Sequence, residues 1–228
     1  MGAPEQPVDM TGKTKILIVD DHPIVREGLA RRINRQPDLV VSGEADGAAE
    51  AMKAMAACPP DLAVVDLTLT DRGGLELIKD LQVRRPKLPI LVLSMHDETV
   101  YAERALRAGA KGYIMKQEAT DHVIEAIRRV RDGGVYLSER MASRLLGTIV
   151  AAETAPALSP VERLSDRELE VFQLIGTGLG TRQIAEKLHV SIKTIDAYRA
   201  NIKTKLNVES TTELAHQAFL WVQKQMGA

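Results

Sequence analysis

Three carboxylates, a hydroxyl and an ammonium group stand where the short apolar runs of this chain break off. Leu62-Ala63-Val64-Val65 ends in Asp66, and Lys15-Ile16-Leu17-Ile18-Val19 ends in Asp20 and Asp21. Ile90-Leu91-Val92-Leu93 ends in Ser94, and Gly112-Tyr113-Ile114-Met115 is followed by Lys116. Each alone has an ordinary explanation: an Asp closing a strand begins a turn, a serine caps a helix, and a lysine is solvated. Their joint placement at four run ends suits the handling of a phosphoryl group. Crowded carboxylates repel unless a cation sits among them. Open clusters of oxygen ligands favour Mg2+, which keeps several of its waters. Lys116 adds a mobile point charge and Ser94 a hydroxyl donor for phosphoryl oxygens.

These groups meet only if the elements carrying them run the same way. The central run, bounded by Pro59-Pro60-Asp61 and Asp71-Arg72-Gly73-Gly74, reads as a strand buried on both faces. A first helix begins at His22-Pro23 and turns Ile24, Val25, Leu29 and Ile33 to one side. Leu39-Val40-Val41-Ser42-Gly43 is a second strand, followed by an alanine-rich helix over about 47–56. Leu75, Leu77, Ile78 and Leu81 stripe a third helix, and residues 98–108 form a fourth that Gly109 stops. Val123, Ile124, Ile127 and Val130 mark a fifth, ending at Gly133-Gly134. Five strands alternating with five helices predict an α/β fold, a doubly wound five-stranded parallel sheet with helices on both faces. In such a sheet ligands bind at the carboxyl ends of the strands. All five polar groups are therefore expected at one edge.

The 228 residues are 45% apolar with a net charge of −1, which indicates a soluble globular protein of two domains. Near-neutral charge leaves room for a local basic surface but not for a chain coated in cations. Cys58 is the only cysteine, so neither an internal disulfide nor a cysteine-based zinc site is available. No apolar run is long enough to span a membrane, and the first residues lack a signal-peptide core. Gln6 stands where a myristoylation start at Met1-Gly2 needs Ser or Thr. A cytoplasmic location is expected. Residues 1–14 read as a loose tail, 15–132 as the α/β domain, and 133–163 as a linker. A helical segment over about 138–152 runs into the polar, proline-bearing end of that linker.

Residues 164–228 are helical throughout. Ser165 and Glu168 make a capping box ahead of Leu169, Val171, Phe172 and Leu174. Thr181 is expected to cap a second helix, His189-Val190 to turn, and Ser191 to cap a third helix through Ile195, Tyr198, Ile202 and Leu206. Asn207 suits a left-handed helix end. Two short helices joined by a tight turn are a helix-turn-helix. On the third helix Lys193, Thr194, Arg199, Lys203 and Lys205 oppose one acid, Asp196. Such a face is usually just solvated, but here it lies on the helix that would enter a DNA major groove. The last helix carries an apolar stripe of Leu214, Ala215, Ala218, Phe219 and Val222, which serves either a dimer contact or the small domain's own core.

Val19-Asp20-Asp21-His22-Pro23, Val64-Val65-Asp66-Leu67, Leu93-Ser94 and Lys111-Gly112-Tyr113-Ile114-Met115-Lys116 resemble the flavodoxin-like receiver domain of bacterial two-component response regulators. The resemblance implies that Asp66 accepts a phosphoryl group from a sensor histidine kinase. Asp20, Asp21, Asp66 and the backbone carbonyl of Thr68 would hold Mg2+, and Lys116 and Ser94 would bind the phosphoryl oxygens. Ser94 and Tyr113 would form the switch, Tyr113 turning inward as Ser94 moves to the phosphoryl. Thr70 departs from the family, which usually has proline there.

Gln183-Ile184-Ala185-Glu186-Lys187-Leu188, Ser191, Lys193-Thr194-Ile195 and Ile202-Lys203-Thr204-Lys205-Leu206 likewise resemble the LuxR-type DNA-binding domain. With the receiver, the chain looks like a NarL/FixJ-type transcriptional regulator that binds promoter DNA and dimerises when phosphorylated. Thr181, Thr194 and Lys203 would contact phosphates, and Lys193, Asp196, Ala197, Tyr198 and Arg199 would lie near bases. Asp196 and Ala197 stand where many relatives have Lys and Asn; a carboxylate there can accept only from a donor such as cytosine N4. Two other readings compete with this one. A phosphatase of the haloacid dehalogenase type also uses a strand-end Asp, but wants a second Asp where Thr68 stands. An unphosphorylated adaptor would not need the acidic pair, Ser94 and Lys116.

Overall fold

The structure, a computed structural model, describes residues 12–69, 73–150 and 160–226. The strands β1 (Thr14–Val19), β2 (Leu39–Ala45), β3 (Leu62–Val65), β4 (Ile90–Ser94) and β5 (Gly112–Met115) pair in parallel, in the order β2-β1-β3-β4-β5. This is the flavodoxin-like doubly wound order, as the alternation of elements predicts. Along β1 and β3, Leu17, Val19, Ala63 and Val65 enter one core while Ile16, Ile18, Leu62 and Val64 enter the other. Both faces are covered, so the strands read as unbroken apolar runs. Helices α1 (Pro23–Asn34) and α5 (Ala119–Arg131) close one face through Ile33, Val123 and Ile127. The other face is closed by α2 (Ala48–Ala57), α3 (Gly74–Arg84) and α4 (Glu98–Ala108), through Ala51, Ile78 and Ala102. Full burial of each large aliphatic side chain contributes about 1.5–3 kcal/mol.

The hydrogen-bond ladder continues one residue past the strands. Asp20 N–H donates to Ala45 O (3.1 Å), Asp66 N–H to Val19 O (2.8 Å), and Lys116 N–H to Ser94 O (2.8 Å). Strand register therefore sets the backbone positions of the polar residues before any side-chain contact does. One glycine holds the central loop. A Cβ on Gly74 would lie 2.2 Å from the Asp66 carbonyl oxygen and 2.5 Å from Leu67 Cα, and Gly74 N–H donates to Leu67 O at 3.0 Å. Helix α3 thus starts against the backbone of the Asp66 loop. Gly74→Ala is expected to destabilise the α/β domain by roughly 3 kcal/mol, because backbone must shift to admit the methyl group. Thermal unfolding would fall by roughly 10 °C, and an unchanged Tm would show that the loop yields freely.

The segment after α5 lies along β5: Tyr113 N–H donates to Tyr136 O (2.9 Å) and Tyr136 N–H to Lys111 O (3.0 Å). The start of the expected linker is therefore tied to the sheet. Helix α6 (Glu139–Val150) buries Met141, and Ser138 Oγ, just ahead of it, donates to Glu98 Oε1 at 2.6 Å. The linker stretch 151–159, most of the expected tail, and Thr70 lie outside the described residues.

A 3-10 turn (Pro160–Arg163) leads into α7 (Asp166–Gly176), α8 (Thr181–Lys187), α9 (Ile192–Leu206) and α10 (Thr211–Met226). The capping box forms as expected, with Ser165 N–H donating to Glu168 Oε2 at 2.7 Å and Glu168 N–H to Ser165 Oγ at 3.4 Å. The second cap differs. Gly180, not Thr181, is the N-cap of α8, and its N–H donates to Gln183 Oε1 at 2.9 Å. Thr181 is already inside the helix, because Gln183 takes over the reciprocal half of the cap. Ser191 caps α9 by accepting from Thr194 N–H, and Asn207 ends it at φ +54°. Leu214, Ala218 and Val222 of α10 are buried, whereas Phe219 and Leu220 are 50% and 53% exposed. The apolar stripe thus divides between the core and the surface.

Candidate functional site

At the carboxyl edge of the sheet the Lys116 ammonium lies 2.7 Å from Asp20 Oδ2 and 2.7 Å from Asp66 Oδ2. All three side chains are nearly inaccessible, at 8% for Lys116, 3% for Asp20 and 1% for Asp66. Burial pushes the Asp66 carboxyl up to about 6; Lys116 opposes this, while Asp20 adds to it. For Lys116, burial works against the charge, but Asp66 and Asp20 outweigh it and its pKa rises. The lysine is a fixed cation, and Asp66 is a carboxylate that gives up its proton at higher pH than usual.

Donor atoms of Asp20, Asp21, His22 and Asp66 lie within 4.8 Å of one another. Asp20 Oδ2 and Asp21 Oδ1 are buried without a directed hydrogen bond. Lys116 Nζ is 2.7 Å from the first and His22 Nδ1 2.7 Å from the second; the ammonium offsets the charge on Asp20, but neither contact is a directed hydrogen bond. Buried carboxylate oxygens with unused lone pairs are what a hard divalent cation takes up. The residues fit Mg2+. His22 completes the cluster although its role as an N-cap masked it in the sequence, and Arg26 Nη1 donates to Asp20 O at 2.6 Å to brace the loop.

Ser94 is fully buried at the end of β4, and its Oγ accepts from His96 N–H at 3.2 Å. Tyr113 is 1% exposed and donates its hydroxyl to His96 O at 2.7 Å. Burial drives the Tyr113 phenol well above its ordinary range. Its ring lies inside the fold. His96, which the sequence reading passed over, sits beside the site with Nε2 3.0 Å from Thr68 Oγ1. Burial foremost, with the Lys116 charge, holds its imidazole down to about 4. The ring is neutral, with one donor and one acceptor nitrogen.

In the helical unit, Lys193, Asp196, Ala197 and Ala200 are exposed along one face of α9, at the spacing that aligns residues on a helix. Thr181, Thr194, Tyr198, Arg199 and Lys203 are half-buried, and Tyr198 also packs against the apolar core. Lys205 departs from the expected basic face: its Nζ reaches Glu168 Oε2 at 2.5 Å and pairs inside the unit. The remaining cations and the caps put the amino-terminal half of α9 at the surface, as a helix entering a major groove requires.

Residues 16–128 match the response regulator receiver domain, and residues 162–218 match the bacterial regulatory proteins of the luxR family. Oxygen regulatory protein NreC of Staphylococcus epidermidis is 36% identical over 209 residues, covering 90% of this chain and 96% of that protein. NreC of Staphylococcus aureus is 37% identical over 208 residues, with the same coverage. Among solved structures, RcsB of Salmonella enterica serovar Typhimurium, bound to promoter rprA with the phosphomimetic BeF3−, is 28% identical. It has a TM-score of 0.65 and covers 90% of this chain and 97% of that one. A LuxR-family two-component response regulator from Aurantimonas is 36% identical with a TM-score of 0.56, covering 60% of this chain and 99% of that one. A receiver pocket, a helix-turn-helix and relatives spanning both place the chain in one family: it belongs to the NarL/FixJ-type two-component response regulators, DNA-binding regulators of transcription.

Proposed function

We propose that this regulator is switched by phosphorylation of Asp66, with a sensor histidine kinase as donor. The observation that carries the reading is the single ammonium group shared at 2.7 Å by Asp20 and Asp66. An Asp66 oxygen attacks phosphorus, the bond from phosphorus to the kinase imidazole breaks, and the imidazole nitrogen takes up a proton. Lys116 neutralises charge gathering on the phosphoryl oxygens, and Ser94 donates its hydroxyl to one of them. Asp20, Asp21, Asp66 and the Thr68 carbonyl would hold Mg2+, which supplies a Lewis acid for the same oxygens. Thr68 offers no carboxyl to activate water, so the adduct persists as a signal rather than turning over as in an enzyme.

Phosphorylation raises the charge at Asp66 from one to about two and adds three acceptor oxygens. Only the part of that interaction that differs between conformations shifts the equilibrium; about 1–3 kcal/mol, or about 5–150-fold, is usual. The regulator then dimerises and binds duplex DNA in the cytoplasm. Thr181, Thr194 and Lys203 contact phosphates, while Lys193, Tyr198 and Arg199 approach bases. Phe219 and Leu220 supply the exposed apolar contact between copies. A two-fold dimer reads half-sites about ten base pairs apart.

The test selects duplexes from a random library with phosphorylated protein, then measures affinity in both phosphorylation states. Phosphorylated protein is expected to bind the selected duplex at least about 5-fold tighter; equal affinities would reject the switch. Lys203→Ala should weaken selected and random duplexes alike and lower the salt slope by about 1. A slope unchanged from wild type would remove Lys203 from the phosphate contacts.

A further inference from the structure

Helix α7 of the DNA-binding unit lies on the α3–α4 face of the receiver, and the apolar core beneath that face continues into the helical unit. Ion pairs rim this contact: Asp166 with Lys79 (2.7 Å) and Arg104 (3.1 Å), and Arg167 with Glu76 (2.5 Å). Inside the rim runs a chain of hydrogen bonds whose directions all agree. Tyr101 hydroxyl donates to Gln173 Oε1 at 2.9 Å. The Gln173 amide nitrogen then donates to His96 Nδ1 at 3.1 Å, which leaves His96 Nε2 to donate to Thr68 Oγ1 at 3.0 Å. The His96 ring also stacks on Tyr101, with centroids 4.6 Å apart and planes at 22°. Gln173 is the only member of this chain that belongs to the DNA-binding unit.

The other attachments of His96 lead back to the phosphorylation site. Its N–H is held by Ser94 Oγ and its carbonyl by the Tyr113 hydroxyl. Thr68, its side-chain partner, donates its backbone N–H to Asp66 Oδ1 at 3.2 Å. Thr68, whose N–H Asp66 holds, and Ser94, the proposed hydroxyl donor to the phosphoryl, therefore grip the same histidine that grips Gln173.

We propose that Gln173, caught between Tyr101 and His96, is the catch of an interdomain clasp that phosphorylation of Asp66 opens by way of Ser94, Thr68 and His96. This rests on the switch described under Proposed function and names the contact through which it acts. When Ser94 turns its hydroxyl to the phosphoryl oxygens, His96 N–H loses its acceptor and the imidazole shifts. Tyr101 is buried and His96 and Gln173 are half-buried, so a partial shift leaves polar groups poorly paired, and separation of the domains is the alternative that satisfies them. The clasp restrains orientation rather than covering the reading face. Lys193, Asp196, Ala197 and Ala200 are exposed while it is closed. A fixed orientation prevents two copies from presenting α9 to two half-sites together.

The test uses Gln173→Ala and, separately, Tyr101→Phe, which removes the donor but keeps the stacked ring. In the unphosphorylated full-length protein, each is expected to tighten dimeric binding to the selected duplex about 5-fold or more. Affinity for a random duplex stays at the wild-type value. The double variant should gain no more than the stronger single one, because both break one chain. By linkage, each variant should also bind beryllofluoride with Mg2+ tighter than wild type by a comparable factor, read by calorimetry. Variants that match wild type in operator and beryllofluoride affinity, while phosphorylated wild type does gain affinity, overturn the clasp and leave the switch standing. Wild type with equal affinity in both states removes the switch, and the clasp with it. An equal gain on random and selected duplexes overturns restraint by orientation, since it would mean that the receiver had been covering α9.

Discussion

Asp66→Asn protein incubated with a small acyl phosphate and Mg2+ gains no mass, while wild type gains one phosphoryl group that survives acid and is lost in base. Asp20 and Asp21 remain in the variant, so the result separates the acceptor from the cation ligands. Asp66 is the proposed acceptor because it closes the interior strand β3 and meets Lys116 at 2.7 Å with 1% side-chain exposure. Lys116→Met is expected to slow phosphorylation of wild-type Asp66 by roughly 100–1000-fold, the usual loss when one preorganised electrostatic group is taken from a reacting oxygen. That variant also leaves two buried carboxylates without their shared cation, so one of them will hold a proton near neutrality. Equal labelling of Asp66→Asn and wild type would move the acceptor elsewhere. A Lys116→Met rate within a few-fold of wild type would mean that the ammonium serves only the resting pocket.

The pocket was legible in the sequence because its geometry follows from strand direction alone. Once four apolar runs are parallel, the residues just beyond them share an edge, and the observed rungs from Asp66 to Val19 and from Lys116 to Ser94 are that inference in hydrogen bonds. Of Ser94 and Tyr113 the sequence shows only the residue types. Tyr113 is aromatic at the expected place, but whether its ring lies inside depends on the room left beside Ser94, which no sequence pattern reports. His96 and Gln173 were not readable at all. They are 77 residues apart in the chain and meet across a domain boundary, so neither periodicity nor motif links them. Lys205 misled for a related reason: a lysine on an outer helix looks solvated until the buried Glu168 beneath it is known. Thr181 is the cap that residue type suggests, and only the reach of Gln183 to the Gly180 N–H moves the cap one residue earlier.

Without divalent cation, the stability of wild type relative to Asp66→Asn should fall as pH rises from about 4 to about 7. Asp66 has an ordinary value of 3.8 and is pushed up to about 6 by burial, less the pull of Lys116. Below both values the carboxyl is neutral in folded and unfolded chains, and Asn is a close stand-in for it. Between them the unfolded chain has released the proton while the folded chain keeps it, so folding takes up a proton and weakens as pH rises. Above about 6 the loss is complete and amounts to about 3 kcal/mol at most. Taking the difference between the two proteins removes the carboxyls held low by their partners, such as Asp166 and Glu168, which lose their stabilisation as pH falls. Urea unfolding of both proteins in chelator at several pH values measures the difference directly. A flat difference from pH 4 to 7 would show that Asp66 titrates normally. Millimolar Mg2+ should then reverse the trend, because a cation bound to the folded pocket alone stabilises it in proportion to its occupancy. It binds the ionised carboxylate and not the amide, so the wild-type advantage grows with pH over the range in which, without metal, it shrank.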